Sequence, residues 1–165
     1  MVSSTMLRRL QSFFHPLLVF TLLFASTYSL HARPASKRAL EKAFLESNAN
    51  RPGVVTTKSG LQYEALQKGT GTEYPKRRDT VIVHLEGKLT DGTVFESTLH
   101  RPKPVEIPIS KLVSGCREAI RLMNVGDKYR FYLPSKLGYG GSQQGDIPPY
   151  SVLIFEIELF EIVNR

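Results

Sequence analysis

The chain of 165 residues contains no tryptophan and a single cysteine, Cys116. One cysteine excludes an intramolecular disulfide and any thiolate-rich metal site. The four histidines (His15, His31, His84 and His100) show neither HExxH nor another ligand spacing. Neither a metal nor a cofactor is therefore expected. There is no GxSxG, which leaves a Ser/His/Asp hydrolase unsupported. "GTGTEY" (69–74) lacks the third glycine and the following helix that a phosphate-binding loop needs. Internal repeats and low-complexity segments are absent too.

Acidic residues are missing from one region in particular. The formal net charge is +7, yet the first forty residues carry Arg8, Arg9, Arg33, Lys37 and Arg38 with no acid at all. Only +2 remains for the other 125 residues, so the basic balance belongs to the leader and not to a binding face. "PKRR" (75–78) is read as a solvated loop between a Gly/Thr-rich stretch and a strand, and no nucleic-acid partner is expected. The leader has the zones of a secretory signal: a basic start, an apolar run "LLVFTLLFA" (17–25), and small residues at Ser26, Ser29 and Ala32. The run is short for a membrane span. A cleavable leader over residues 1–32 and entry to the secretory pathway are expected. A mitochondrial presequence is the rival reading, because the segment is Ser/Thr/Arg-containing and acid-free, and an uncleaved anchor is the third.

Beyond the leader the chain is patterned. "SKRALEKAFLESNAN" (36–50) predicts a short amphipathic helix with Ser36 as N-cap and Leu40, Ala43, Phe44 and Ser47 on one face. At under four turns it is marginal alone in water. It must dock on its own domain, dock on a second copy through residues 36–50, or fray. From Gly53 the period becomes two. "VIVHLEGKL" puts Val81, Val83, Leu85 and Leu89 on one face, and "KYRFYL" groups Tyr129, Phe131 and Leu133. The last strand turns Leu153, Phe155, Ile157 and Leu159 one way, with Glu161 expected to mark its end. Asp91-Gly92 signals a tight hairpin. "VSGCREAIRLMNVGD" predicts one internal helix, with Cys116, Ala119, Ile120 and Met123 on its apolar stripe and Gly126 as its stop. An alternating sheet with one short helix is an α+β domain.

"LGYGGSQQGDIPPY" (137–150), just before the most apolar strand, exceeds the two to six residues of a plain connection. Its glycines, prolines and tyrosines suggest a functional loop.

Three ordered blocks resemble the signature of the FKBP-type peptidyl-prolyl isomerases: "VIVHLEGKLTDGTVFEST", "KPVEIPISKLVSGCREAIRLMNVGDKYRFYLPSKLGYGG" and "DIPPYSVLIFEIEL". "GVVTTKSGLQYEAL" resembles the entry of the macrophage infectivity potentiator branch. The resemblance covers residues 53–165, with 33–52 as a helical extension. It implies an FKBP-like antiparallel sheet of five to six strands wrapped around one short helix, preceded by the N-terminal helix. It also implies cis–trans isomerisation of X-Pro bonds in folding chains or extracellular peptides, with macrolides as inhibitors.

Carried onto this chain, the resemblance assigns catalytic positions to Tyr139, Phe95, Glu96 and Phe155. Substrate-binding positions fall to Leu85, Val105, Leu112, Val113, Cys116 and Ile147. Four of these depart from the family pattern. Glu96 stands for an aspartate, Leu85 for a tyrosine, Val105 for a phenylalanine and Cys116 for the tryptophan of the pocket floor. A wider, less aromatic pocket is expected, with reduced activity and a larger loss of macrolide affinity. The reading of a different class is a non-catalytic peptide-binding chaperone module on the same fold, and an interaction module whose helix dimerises is a third. Cys116 itself is read as a buried hydrophobe, since no His or Lys adjoins it in sequence.

Overall fold

Strand periodicity decides the sheet. In the computed structural model, which describes residues 35–163, every pairing is antiparallel. The strands are β1 (Val55–Thr56), β2 (Gln62–Gln67), β3 (Thr80–Lys88), β4 (Val94–Ser97), β5 (Val105–Pro108), β6 (Lys128–Leu133) and β7 (Leu153–Val163). Their order is β1-β2-β6-β7-β3-β4, with β5 also pairing β3. The count of seven exceeds the five to six expected. The two-residue β1 adds one, and β4 and β5 share a single edge of β3, along residues 86–88 and 80–83 respectively.

The inner face carries the residues the alternation selected. Val81, Val83 and Leu85 of β3, Tyr129, Phe131 and Leu133 of β6, and Leu153, Phe155, Ile157 and Leu159 of β7 are all buried. Helix α2 (Ser114–Ile120) lies on this face and contributes Cys116, Ala119 and Ile120. The β3–β4 hairpin turns at Asp91-Gly92 as predicted, with Gly92 at φ +89° and Thr93 N–H donating to Asp91 Oδ1.

Two boundaries differ from the sequence expectation. The internal helix stops at Ile120, well before Gly126. Leu122 and Met123 form tight i→i−3 bonds, and Asp127, 1% exposed, takes the amides of Asn124 and Gly69 on its two carboxylate oxygens. That carboxylate pulls the chain into a turn, in which Gly126 supplies a φ of +87°. The second difference lies in β7, which does not end at Glu161. Ile82 pairs Glu161 while Val83 pairs Leu159, so Phe160 is an unpaired bulge residue. The bulge shifts the alternation by one, and the inward set resumes at Ile162.

The N-terminal helix, α1 (Lys37–Ala49), forms where predicted, with Ser36 Oγ accepting from Ala39 N–H. It docks on the outer face of its own sheet, with Phe44 alone of the predicted stripe in the contact. Phe44 and Leu45 pack on Tyr132, Val152 and Ile154, while Leu40 stays 58% exposed and Ala43 and Ser47 face solvent. Polar anchors set this rotation. Buried Asn48 donates to Gln62 Oε1 at 2.8 Å, and Gln62 donates to the Leu45 carbonyl at 2.8 Å. Two half-buried apolar side chains contribute only about 1–2 kcal/mol each, so such bonds can decide which face docks.

Below α1, Tyr132 Oη donates to Glu64 Oε1 and accepts from Arg51, each at 2.6 Å. Arg130 joins Glu64 to Glu156, and Lys88 also reaches Glu156. Burial opposes ionisation of both carboxylates but is outweighed. For Glu64 the Tyr132 hydroxyl and the Arg51 and Arg130 guanidiniums hold the group below its ordinary value, and for Glu156 Arg130 and Lys88 do so. A depressed folded-state value stabilises the fold above the ordinary 4.5 and loses that contribution as pH falls below it. Thermal melts from pH 7 to 3 should therefore show Tm dropping below about pH 4.5. Glu64→Gln should cost about 1–2 kcal/mol at neutral pH and flatten that drop. An unchanged acid profile in the variant would remove Glu64 from the account.

Candidate active site

All ten residues assigned from the sequence line one cavity of about 620 Å³ between α2, the inner sheet face and the loop before β7. They come from distant parts of the chain: β3 gives Leu85, β4 gives Phe95 and Glu96, β5 gives Val105, and the entry to α2 gives Leu112 and Val113. Helix α2 itself gives Cys116, the long loop Tyr139 and Ile147, and β7 Phe155.

The base is apolar. Leu85, Cys116, Ile120, Phe155 and Ile157 are buried there. Phe95 and Phe155 meet edge to face at a ring separation of 5.5 Å and an interplanar angle of 84°, an arrangement favoured by the ring quadrupoles. Gly87 makes that contact possible. A Cβ there would lie 2.7 Å from the Phe95 ring and 2.8 Å from the Phe155 ring.

The loop forms the roof. Gln144 and Ile147 exchange both backbone hydrogen bonds, at 3.0 and 2.9 Å, across a turn in which Gly145 adopts φ +53°. This miniature hairpin presses Ile147 into the cavity, where it is 4% exposed. Tyr139 is 37% exposed at the mouth, and its hydroxyl hydrogen-bonds no other described residue. Burial first, then the proximity of Cys116 and Glu96, raises its phenol above the ordinary value. It is a neutral donor at neutral pH. Burial pushes the Cys116 thiol up to about 12, so no thiolate is available as a nucleophile.

Glu96 behaves differently from the other nine. It is exposed at the rim and forms neither a hydrogen bond nor an ion pair with another described residue. Val113 is the N-cap of α2, in extended conformation and without a side-chain cap bond.

The arrangement offers an apolar, partly aromatic recess, a free hydroxyl at its mouth, and no activated nucleophile. A family model described as FKBP-type peptidyl-prolyl cis-trans isomerase matches residues 71–160. The chain belongs to that family. A second model, a domain amino-terminal to the FKBP-type isomerases, matches residues 25–65. An FKBP-type isomerase named FkpA from Aeromonas hydrophila is 44% identical over 133 residues, covering 78% of this chain and 49% of that protein. A macrophage infectivity potentiator from Trypanosoma cruzi is 38% identical over 127 residues, covering 76% and 65%. The chain thus spans only part of the length of these curated relatives. The crystal structure of a peptidyl-prolyl isomerase from Pseudomonas syringae superposes with a TM-score of 0.72 at 31% identity, covering 78% of this chain and 94% of that one.

Within the FKBP-type frame, sequence reasoning missed the residues that prop the site. Thr98 is 3% exposed, and its hydroxyl accepts from Leu85 N–H at 2.9 Å while reaching His84 Nδ1 at 3.1 Å. It ties the end of β4 to the middle of β3. Arg101, Glu106, Lys111 and Asp146 add charges around the cavity. Thr98 is visible in the sequence only as a polar residue after a strand, and no local pattern marks it as buried.

Proposed function

We propose that this chain is a peptidyl-prolyl cis-trans isomerase acting on X-Pro bonds of polypeptides, with its site in the cavity under Tyr139. The observation that carries this reading is the convergence of Tyr139, Phe95, Phe155 and Ile147 on one apolar recess. Rotation about a peptide bond faces a barrier of roughly 18–20 kcal/mol set by amide resonance. No bond breaks, so neither a nucleophile nor a metal is needed. The twisted amide has less charge separation than the planar one and loses less on entering an apolar recess. The Tyr139 hydroxyl and the Val113 N–H hold the peptide on either side of the rotating bond. Glu96, exposed at the rim, faces the stretch where residues flanking the X-Pro bond would lie.

Reduced turnover and a larger loss of macrolide affinity belong to the same reading, because Leu85, Val105 and Cys116 leave the recess without three rings. The N-terminal signal pattern supports entry to the secretory pathway, although it lies outside the described residues. Exposed Leu40 supports pairing of α1 with a second copy, which sedimentation of a Leu40→Glu variant would test.

The deciding measurement is the cis-to-trans conversion of a short Leu-Pro peptide with purified protein. Acceleration over the uncatalysed rate is expected. A folded protein that binds the peptide without accelerating it would make this a chaperone module.

A further inference from the structure

We infer that α1 holds the site's loop in place, and that Arg38 and Glu41 are positioning residues for Tyr139; this rests on the isomerase reading above. The loop carrying Tyr139 leaves β6 at Pro134 and returns at Tyr150, and α1 grips it at both points. At the first, Glu41 Oε1 accepts from Ser135 N–H at 2.6 Å and Oε2 accepts from the Ser135 hydroxyl at 3.0 Å. The Ser135 carbonyl in turn accepts from the amides of Gly138 and Gly140, at 2.9 and 2.8 Å. Tyr139 lies between those two amides. Ser135 is buried, so its polar groups depend on these partners.

At the second point, Arg38 donates to Tyr150 Oη at 3.0 Å, and its guanidinium sits 4.5 Å over the Tyr150 ring. Tyr150 is the only non-glycine with positive φ among the described residues, at +59°. Such a backbone persists only where its surroundings hold it. Its N–H closes the loop by donating to the Gly140 carbonyl at 2.8 Å. Gly140 thus bonds both fastened residues, through its N–H to Ser135 and its carbonyl to Tyr150. Loosening either grip frees the neighbour of Tyr139. The hydrogen bonds at the other end of α1, from Asn48 to Gln62 and from Gln62 to the Leu45 carbonyl, involve no residue of this loop.

The test uses the full chain and two readouts: kcat/KM on a Leu-Pro peptide, and hydrogen exchange at the Gly138, Gly140 and Tyr150 amides. Glu41→Ala with Arg38→Ala should speed exchange at these amides and lower kcat/KM by about tenfold. Arg38→Lys, which keeps the charge and a donor, should restore most of the loss due to Arg38→Ala. Asn48→Ala, at the far end of α1, should lower Tm with little change in either readout. Unchanged exchange in the double variant overturns the inference. So does faster exchange with wild-type kcat/KM, or an Asn48→Ala variant that loses rate as the double variant does. A wild-type chain with no isomerase activity would instead overturn the functional reading, and the exchange measurement would still decide whether α1 holds the loop.

Discussion

Phe155→Ala is expected to lower kcat/KM by about a hundredfold and to destabilise the fold by about 3–5 kcal/mol. The residue has two jobs. Its ring is 8% exposed at the base of the cavity, and its edge-to-face contact with Phe95 spans Gly87. Truncation leaves a hole that the surrounding strands cannot close, because β7 is paired on both sides by β6 and β3. It also removes apolar surface that a bound proline would cover, worth about 1.5–3 kcal/mol for a ring of this size. Phe155→Leu separates the two effects. Leucine refills part of the space and should cost less stability than alanine does while still slowing isomerisation. Tyr139→Phe should leave Tm unchanged and cost about tenfold in rate, the value of one hydrogen bond. Denaturant unfolding and the peptide assay read both quantities. A folded Phe155→Ala protein with wild-type turnover would move the chemistry to another part of the molecule.

Cys116→Trp is expected to raise kcat/KM and macrolide affinity by about tenfold each. Cys116 is buried on α2 beside Ile120, with its thiol facing a cavity of about 620 Å³. An indole there, a side chain that buries roughly 150–250 Å² in all, would give the floor one ring face to offer the substrate. Overpacking is the opposing effect, costing about 1–3 kcal/mol where the space is already filled. A variant that gains stability and rate together shows an underfilled floor. One that loses both shows that Ile120 and Ile157 already compensate for the missing ring.

Particular elements show where a linear reading stops short. Ser36, the Asp91-Gly92 turn and the inward alternation of β3, β6 and β7 depend on neighbours within a few residues, and all are found as read. Apolar periodicity misplaces the docking face of α1 because it weights Leu40 over Asn48. Asn48 is buried only because Gln62 stands opposite with a partner for it. Phe160 cannot be recognised as a bulge from its own strand, since a bulge is defined by the pairing of Ile82 and Val83 across the ladder. The early stop of α2 comes from Asp127, whose carboxylate serves Gly69 from a different segment. Among the site residues, the ten named from the resemblance share the cavity, whereas Thr98 and the rim charges carry no signal in the linear pattern.

By itself, then, the amino-acid order determined what local chemistry can determine: the strand alternation, the capped helix, the hairpin, and the absence of metal-ligand and nucleophile patterns. Tertiary structure alone decided that side chains from four strands, one helix and one loop surround a single recess. It also decided that α1 rests against the base of that loop. The physical reason is distance along the chain. Local preferences act over a turn or a pleat, while a cavity and its supports are made by long-range packing and by buried polar groups that must find partners wherever the fold supplies them.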